Sequence, residues 1–329
     1  MDGSTASPST DRPTFSVVIE WENAKLSELD RARRMLESLG AQTRQLGPSE
    51  ARAKDLVILH DPGAVAPELI RRLLTEAMGQ PPCFGTVKVV PVEGKAYYEL
   101  KNHGATQTDS DILVFLDSDV IPDPGWLQRL LAPIATGDAV VVGGNTYVRP
   151  ESLYTKAFAL FWFFPPMSDG DQLRPSHHFF ANNVAFLRSV FEAHRFPDRD
   201  TFRGQCVGLA AELDQAGIPM HLHEGARVSH PPPNGVRHFV ARALCAGHDS
   251  VVARRHQGLA TTTRTSLGQA RWELGDSRSR ISQQGESLGL GPVERGLATG
   301  IAGAYVGLAC LGQFVTRAAP GVIPRYFPI

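Results

Sequence analysis

Short apolar runs separated by stretches of helical period dominate the first third of the chain. Residues 15–19 (FSVVI), 56–59 (LVIL), 87–92 (VKVVPV) and 112–116 (ILVFL) are each long enough for a strand and too short for a helix. Between the first two, residues 25–39 place Leu26, Leu29, Met35, Leu36 and Leu39 at helical spacing, and 68–78 and 97–108 read as two more helices. Strands alternating with helices at this spacing predict an α/β fold with a doubly wound sheet flanked by helices. The 112–116 run has no polar alternation, so it is expected to be covered on both faces, as a central strand is.

That strand ends in Asp117-Ser118-Asp119. Ligands of open α/β sheets bind at the carboxyl ends of strands, and in extended chain residues i and i+2 point the same way. Two converging carboxylates repel one another unless a cation lies between them, and a hard divalent cation carrying a diphosphate suits oxygen ligands. The competing reading is an Asp-rich turn with Pro122 and Pro124 as turn residues. Polar clusters at two other strand ends, 20–23 and 60–61, favour one shared crevice over an isolated turn.

The pattern changes after residue 235. Residues 238–256 read as a helix, and arginines outnumber acids from 237 to 280. Residues 296–315 then form a 20-residue stretch without a charge, just enough to span a bilayer. Gly296, Gly300, Gly303 and Gly307 are spaced for close helix–helix packing. Two readings stand: membrane contact, with the arginines holding anionic headgroups, or a buried Gly/Ala-rich helix. The expected division is a leader at 1–13, an α/β domain at 14–235, an Arg-rich helical extension at 236–295, a transmembrane or membrane-associated helix at 296–317 and a tail at 318–329. A net charge of −1 argues against nucleic acid as a partner. Cys83, Cys206, Cys245 and Cys310 form no C-x-x-C pair, which fits reduced thiols. The polar N-terminus lacks the pattern of a signal peptide, so the expected location is the cytoplasmic face of the cell membrane.

Taken in order, SVVIEWEN at 16–23, LHDPG at 59–63, Lys101-Asn102-His103-Gly104, FLDSDVIPDPGWL at 115–127, HHFFANNVAFLRSVF at 177–191 and GARVSHPPP at 225–233 resemble the family-2 glycosyltransferases of GT-A fold. The resemblance covers 15–233 and implies a metal-dependent transfer from a nucleotide sugar, a UDP-sugar first, to a glycan, a lipid-linked sugar or a small polar acceptor. By it, Glu20, Trp21, Asn23 and Asp61 would hold base and ribose, with Trp21 either a stacking surface or core packing. Lys101 would lie near the diphosphate, or be a solvated helix lysine; Asn102 would join it, or brace its helix. Asp117 would reach the ribose side, and Asp119 would bind Mg²⁺ or Mn²⁺. His230 is open between a further metal ligand and a strand-end residue. His177, His178, Asn182 and Asn183 would face the acceptor, or be surface-loop residues. His221 and His223, on one face of a short strand, lack a fourth ligand at zinc spacing and are read as structural.

The chain departs from the resemblance at the base. Inverting members carry a Glu-Asp pair where this sequence has Gln205-Cys206. Gln205 has no useful pKa, and Cys206 would serve only with a lowered one. Asp200, in the preceding loop, is the nearest substitute, and Glu212 lies two turns too far along. The expectation is therefore an inverting hexosyltransferase whose base is Asp200 or Cys206. The alternative is a catalytically silent GT-A domain acting as a nucleotide-sugar-binding scaffold. A nucleotidyltransferase ranks below both, because no glycine-rich phosphate loop follows the first strand. The C-terminal helix is the candidate contact between copies of the chain.

Overall fold

The computed structural model describes residues 12–22, 29–47, 50–79, 83–198 and 201–327. The α/β half runs β1 (Thr14–Glu20), α1 (Leu29–Gln45), β2 (Arg52–His60), α2 (Pro67–Met78), β3 (Thr86–Pro91), α3 (Tyr97–Ala105) and β4 (Ile112–Asp117). The order β3-β2-β1-β4 is parallel throughout, as helical crossovers dictate. β4 is buried at every position, as its unbroken apolar run requires.

Beyond β4 the sheet becomes mixed. The chain continues through β5 (Ile121–Pro122), α4 (Trp126–Ala135), β6 (Val141–Tyr147), α5 (Leu153–Phe161), β7 (Leu173–Ser176), β8 (Asn183–Leu187), α6 (Arg188–Ala193), α7 (Gln205–Gln215) and β9 (Met220–Ser229). β8 pairs antiparallel with β4 and with β6, and β9 lies parallel to β6. Separate apolar cores lie on the two faces of the sheet: Met35, Leu36 and Trp126 on one, Phe115, Phe186 and Phe191 on the other.

Three long helices complete the molecule: α8 (Gly235–His256), α9 (Thr263–Gln284) and α10 (Pro292–Ala318), followed by the short α11 (Val322–Tyr326). α10 is long and apolar enough to cross a membrane. One side of it nevertheless packs on protein, with Ala298, Ala302, Tyr305 and Val306 buried against α5 and its neighbours. The close approach uses other glycines than the G-x-x-x-G spacing suggests. A Cβ on Gly247 would stand 2.0 Å from the Ala309 carbonyl oxygen, and one on Gly312 2.3 Å from that of Leu244. Gly296, Gly300 and Gly307 have no atom within 4 Å of such a Cβ, so that face of α10 is open.

This gives a paired prediction. Gly247→Ala should destabilise the fold by about 1–3 kcal/mol, because the new methyl meets backbone that cannot yield. Gly300→Ala should be neutral or stabilising by up to about 1 kcal/mol, from helix propensity alone. Thermal unfolding of the two variants checks both signs.

Candidate active site

Asp117 ends β4 and is held by α3. Lys101 Nζ lies 2.6 Å from Asp117 Oδ1, with the lysine side chain 0% and the aspartate 4% exposed. The Tyr97 hydroxyl, 2.7 and 2.8 Å from the two carboxylate oxygens, donates to the same group. Tyr97, Lys101 and Gly104 follow i, i+4, i+7 and so share one helix face. Gly104 lets that face close on the sheet, since a Cβ there would come within 2.4 Å of Val18 and 2.6 Å of Leu59. Lys101 is therefore neither solvated nor exposed. Asn102 points elsewhere and braces the Phe196 backbone, donating to its carbonyl at 2.8 Å and accepting from its N–H at 3.2 Å.

Asp119 follows two residues later, 7% exposed, and its Oδ1 is buried without a hydrogen-bond partner. Burial raises its pKa, and nearby His230 opposes the rise. His230, in turn, is held below the usual imidazole value by burial, against the pull of Asp119 and Asp117. Its Nδ1 lies 2.6 Å from the Pro231 carbonyl, and its ring packs against Trp162 and Phe164. Arg31 of α1 ties these two segments together: its guanidinium donates to the Asp119 carbonyl and to the Ser229 carbonyl, each at 2.5 Å. A buried carboxylate oxygen without a proton donor, beside an imidazole, fits a cation that takes its other ligands from a diphosphate and water. Among the described residues no three His, Cys, Asp or Glu side chains cluster as a complete protein cage. His223 Nδ1 accepts from the Gly225 N–H at 3.3 Å.

Asp117, Asp119 and His230 open into a cavity of about 960 Å³. Its far wall is formed by Arg242 and Asp249 of α8, Trp272 and Glu273 of α9, and Tyr305 and Gln313 of α10. The C-terminal helices are thus part of the site. Arg203, just ahead of α7, also lines it and stacks on the Tyr97 ring at 4.2 Å.

The other expected site residues separate. Glu20 is fully buried in register with Asp117, and burial, reinforced by the Asp117 charge, holds its pKa well above the usual carboxylate range. Trp21 is buried in the core, 1% exposed, leaving no ring face for stacking in this conformation. Asp61 accepts from the Gly63 N–H at 2.9 Å in the loop after β2. Asn23 and Asp200 lie outside the described residues. His178 and Asn182 line the cavity, whereas His177 is on the outer surface, 85% exposed and 2.9 Å from Asp214. Asn183 is consumed by the fold: it accepts from Trp126 Nε1 at 2.7 Å and donates to the Asn145 and Ala226 carbonyls. Cys206 lines the cavity, but burial pushes its thiol pKa up, opposite to what a base needs. The Tyr98 hydroxyl donates to its sulfur at 3.3 Å. Tyr97, Arg31, Arg203 and the α8–α10 wall were not read from sequence; the i−4 spacing of Tyr97 from Lys101 was the one local signal available.

Residues 84–195 match the family model described as glycosyl transferase family 2. That stretch is similar to the family 2 glycosyl transferases. The matched stretch contains α3, β4 and both aspartates of the 117–119 turn. The architecture agrees. The mannosyltransferase PcManGT from Pyrobaculum calidifontis, in complex with GDP-Man and Mn²⁺, aligns with a TM-score of 0.55 at 16% identity, over 93% of this chain and 88% of that one. S. aureus TarS 1-349, in complex with UDP-GlcNAc, aligns with a TM-score of 0.51 at 12% identity, over 93% and 92%. At such identities these likenesses establish the GT-A fold. No curated protein sequence matches the chain.

The buried ion pair predicts a large mutational cost. Lys101→Met leaves Asp117 buried without the ammonium beside it, and should lower the unfolding free energy by about 3–5 kcal/mol. Tyr97→Phe should cost about 1.5–3 kcal/mol, the range for a hydrogen bond to a charged group. Urea denaturation of both variants measures the difference.

Proposed function

We propose that the domain transfers a sugar from a nucleotide-sugar donor to an acceptor held in the cavity between the sheet and α8–α10. The observation that carries this reading is the buried, donor-free Oδ1 of Asp119 beside Asp117 at the exit of β4, inside the stretch that matches family 2. Asp119 and His230 would hold Mg²⁺ or Mn²⁺. When bound, that cation would offset negative charge on the leaving nucleoside diphosphate. Asp117, fixed by Lys101 and Tyr97, would orient the ribose side of the donor. Arg203, cationic and above the Tyr97 ring, would add positive charge beside the diphosphate. A UDP-sugar remains the first candidate donor.

Phe164, Phe180, Trp162 and Tyr305 give the cavity an aromatic wall, which suits a sugar face or the apolar part of a lipid-linked acceptor. The open side of α10, with Val293 77%, Leu297 54% and Leu311 49% exposed, would rest on a membrane surface with the catalytic cavity beside it. A scaffold role is favoured by one observation, the raised thiol at Cys206 in place of a carboxylate.

Nucleotide release from UDP-glucose, UDP-N-acetylglucosamine and GDP-mannose should depend on added Mn²⁺ or Mg²⁺ and stop with EDTA. Several kcal/mol of charge stabilisation depend on the metal ligand, so Asp119→Asn should lower kcat/KM by roughly a thousandfold. Release that ignores EDTA would contradict the metal-dependent reading; nucleotide binding without any release would favour the scaffold.

A further inference from the structure

Displacement at the sugar's C1 needs a group to take the proton from the attacking hydroxyl, and the cavity offers few. Asp117 is engaged by Lys101 and Tyr97. Asp276 is paired with Arg280 at 2.9 Å, one turn along its own helix. Glu273 accepts from Gln269 at 2.8 Å on α9. Cys206 is a raised thiol and Gln205 cannot titrate. Among the described residues, and apart from Asp119, the proposed metal ligand, Asp249 in the middle of α8 is the acid of the wall with both oxygens fixed by backbone rather than by a side chain of its own helix.

Its placement is specific. Oδ1 accepts from the Phe202 N–H and Oδ2 from the Arg203 N–H, both at 2.9 Å, so the carboxylate is fixed to the loop that leads into α7. The Arg203 side chain from that same loop lies on Tyr97, and Tyr97 binds Asp117. A continuous chain of contacts therefore joins Asp249 to the end of β4. Each carboxylate oxygen keeps a lone pair beyond its one backbone bond.

We infer that Asp249 is the general base of the transfer, presented to the acceptor side of the cavity by α8. This rests on the transferase reading above. In the step, the acceptor O–H proton moves to the Asp249 carboxylate and the acceptor oxygen bonds to C1. The bond from C1 to the phosphate oxygen breaks, and the nucleoside diphosphate leaves with the electron pair. With water as acceptor the same step is donor hydrolysis. The groups facing Asp249 are Arg203 from the loop and Arg242 and Cys245 on α8. Burial pushes its pKa up to about 7, against the two backbone N–H bonds and both arginines. A base of that strength is half ionised near neutrality, where proton transfer is most efficient.

The test is nucleotide release with Mn²⁺ from UDP-glucose, UDP-N-acetylglucosamine and GDP-mannose, followed between about pH 5 and pH 9. For the wild type, kcat/KM should rise with pH through about 7 and level off, since the ionised form is the active one. Asp249→Asn should lower kcat by about 10²–10⁴-fold and erase that rise. UDP affinity, measured by calorimetry, reports the separate effect of loosening the loop that carries Arg203, and its loss should be far smaller than the loss in kcat. A variant within about threefold of wild type, or one that keeps the acid limb, overturns the assignment. Should the variant fail to fold, the wild-type profile decides: a flat response between about pH 5 and pH 8 overturns it. A wild type that neither binds nor turns over any donor defeats the transferase reading and this inference together. Turnover that survives Asp249→Asn defeats the inference alone.

Discussion

The ion pair between Lys101 and Asp117 is the constraint on which the site depends. An ammonium and a carboxylate sealed from water cost several kcal/mol each in lost hydration, repaid only by close geometry and further hydrogen bonds. Both are present: a 2.6 Å contact and the Tyr97 hydroxyl shared across both carboxylate oxygens. The pair fixes α3 to the tip of β4, and Gly104 removes the one side chain that would hold the helix off the sheet. With Asp117 neutralised in place, the turn that follows can carry a second buried carboxylate at Asp119 without two bare charges meeting.

The same arrangement explains why the far wall matters. Arg203 stacks on Tyr97 from the loop before α7, and that loop is held by a carboxylate of α8. α8 is held in turn by α10 through the Gly247 and Gly312 crossing. The C-terminal helices and the β4 end of the sheet are thus mechanically one object. In the proposed transfer, the cavity between them would limit water around an activated sugar, and its aromatic lining would supply contact area at low entropic cost.

Much of this was legible in the sequence. The order of strands and helices through β4 follows from apolar runs alternating with helical spacing, and the exit of β4 announced its aspartates. Their partner was not legible: Lys101 lies 16 positions away, and only the parallel crossover brings α3 over the strand end. Trp21 stayed open between two roles, and Asn183 misled, for a common reason. A polar or aromatic residue near a ligand-binding strand end looks the same whether it faces a ligand or closes the core. Asp249 was invisible because an acid in the middle of an amphipathic helix reads as a solvated face. α10 was ambiguous on composition alone, since an apolar helix does not record whether its neighbour is lipid or protein; its packing against α5, α8 and α9 gives one side to protein.

The central claim is that the Asp117–Asp119 turn grips a cation carrying a nucleoside diphosphate. Crystals soaked with UDP and Mn²⁺, measured at the manganese absorption edge, test it directly. The account predicts an anomalous peak at coordination distance from Asp119, bridged to diphosphate oxygens, with the Lys101–Asp117 pair intact. Manganese bound elsewhere, or a nucleotide seated away from the end of β4, would contradict it.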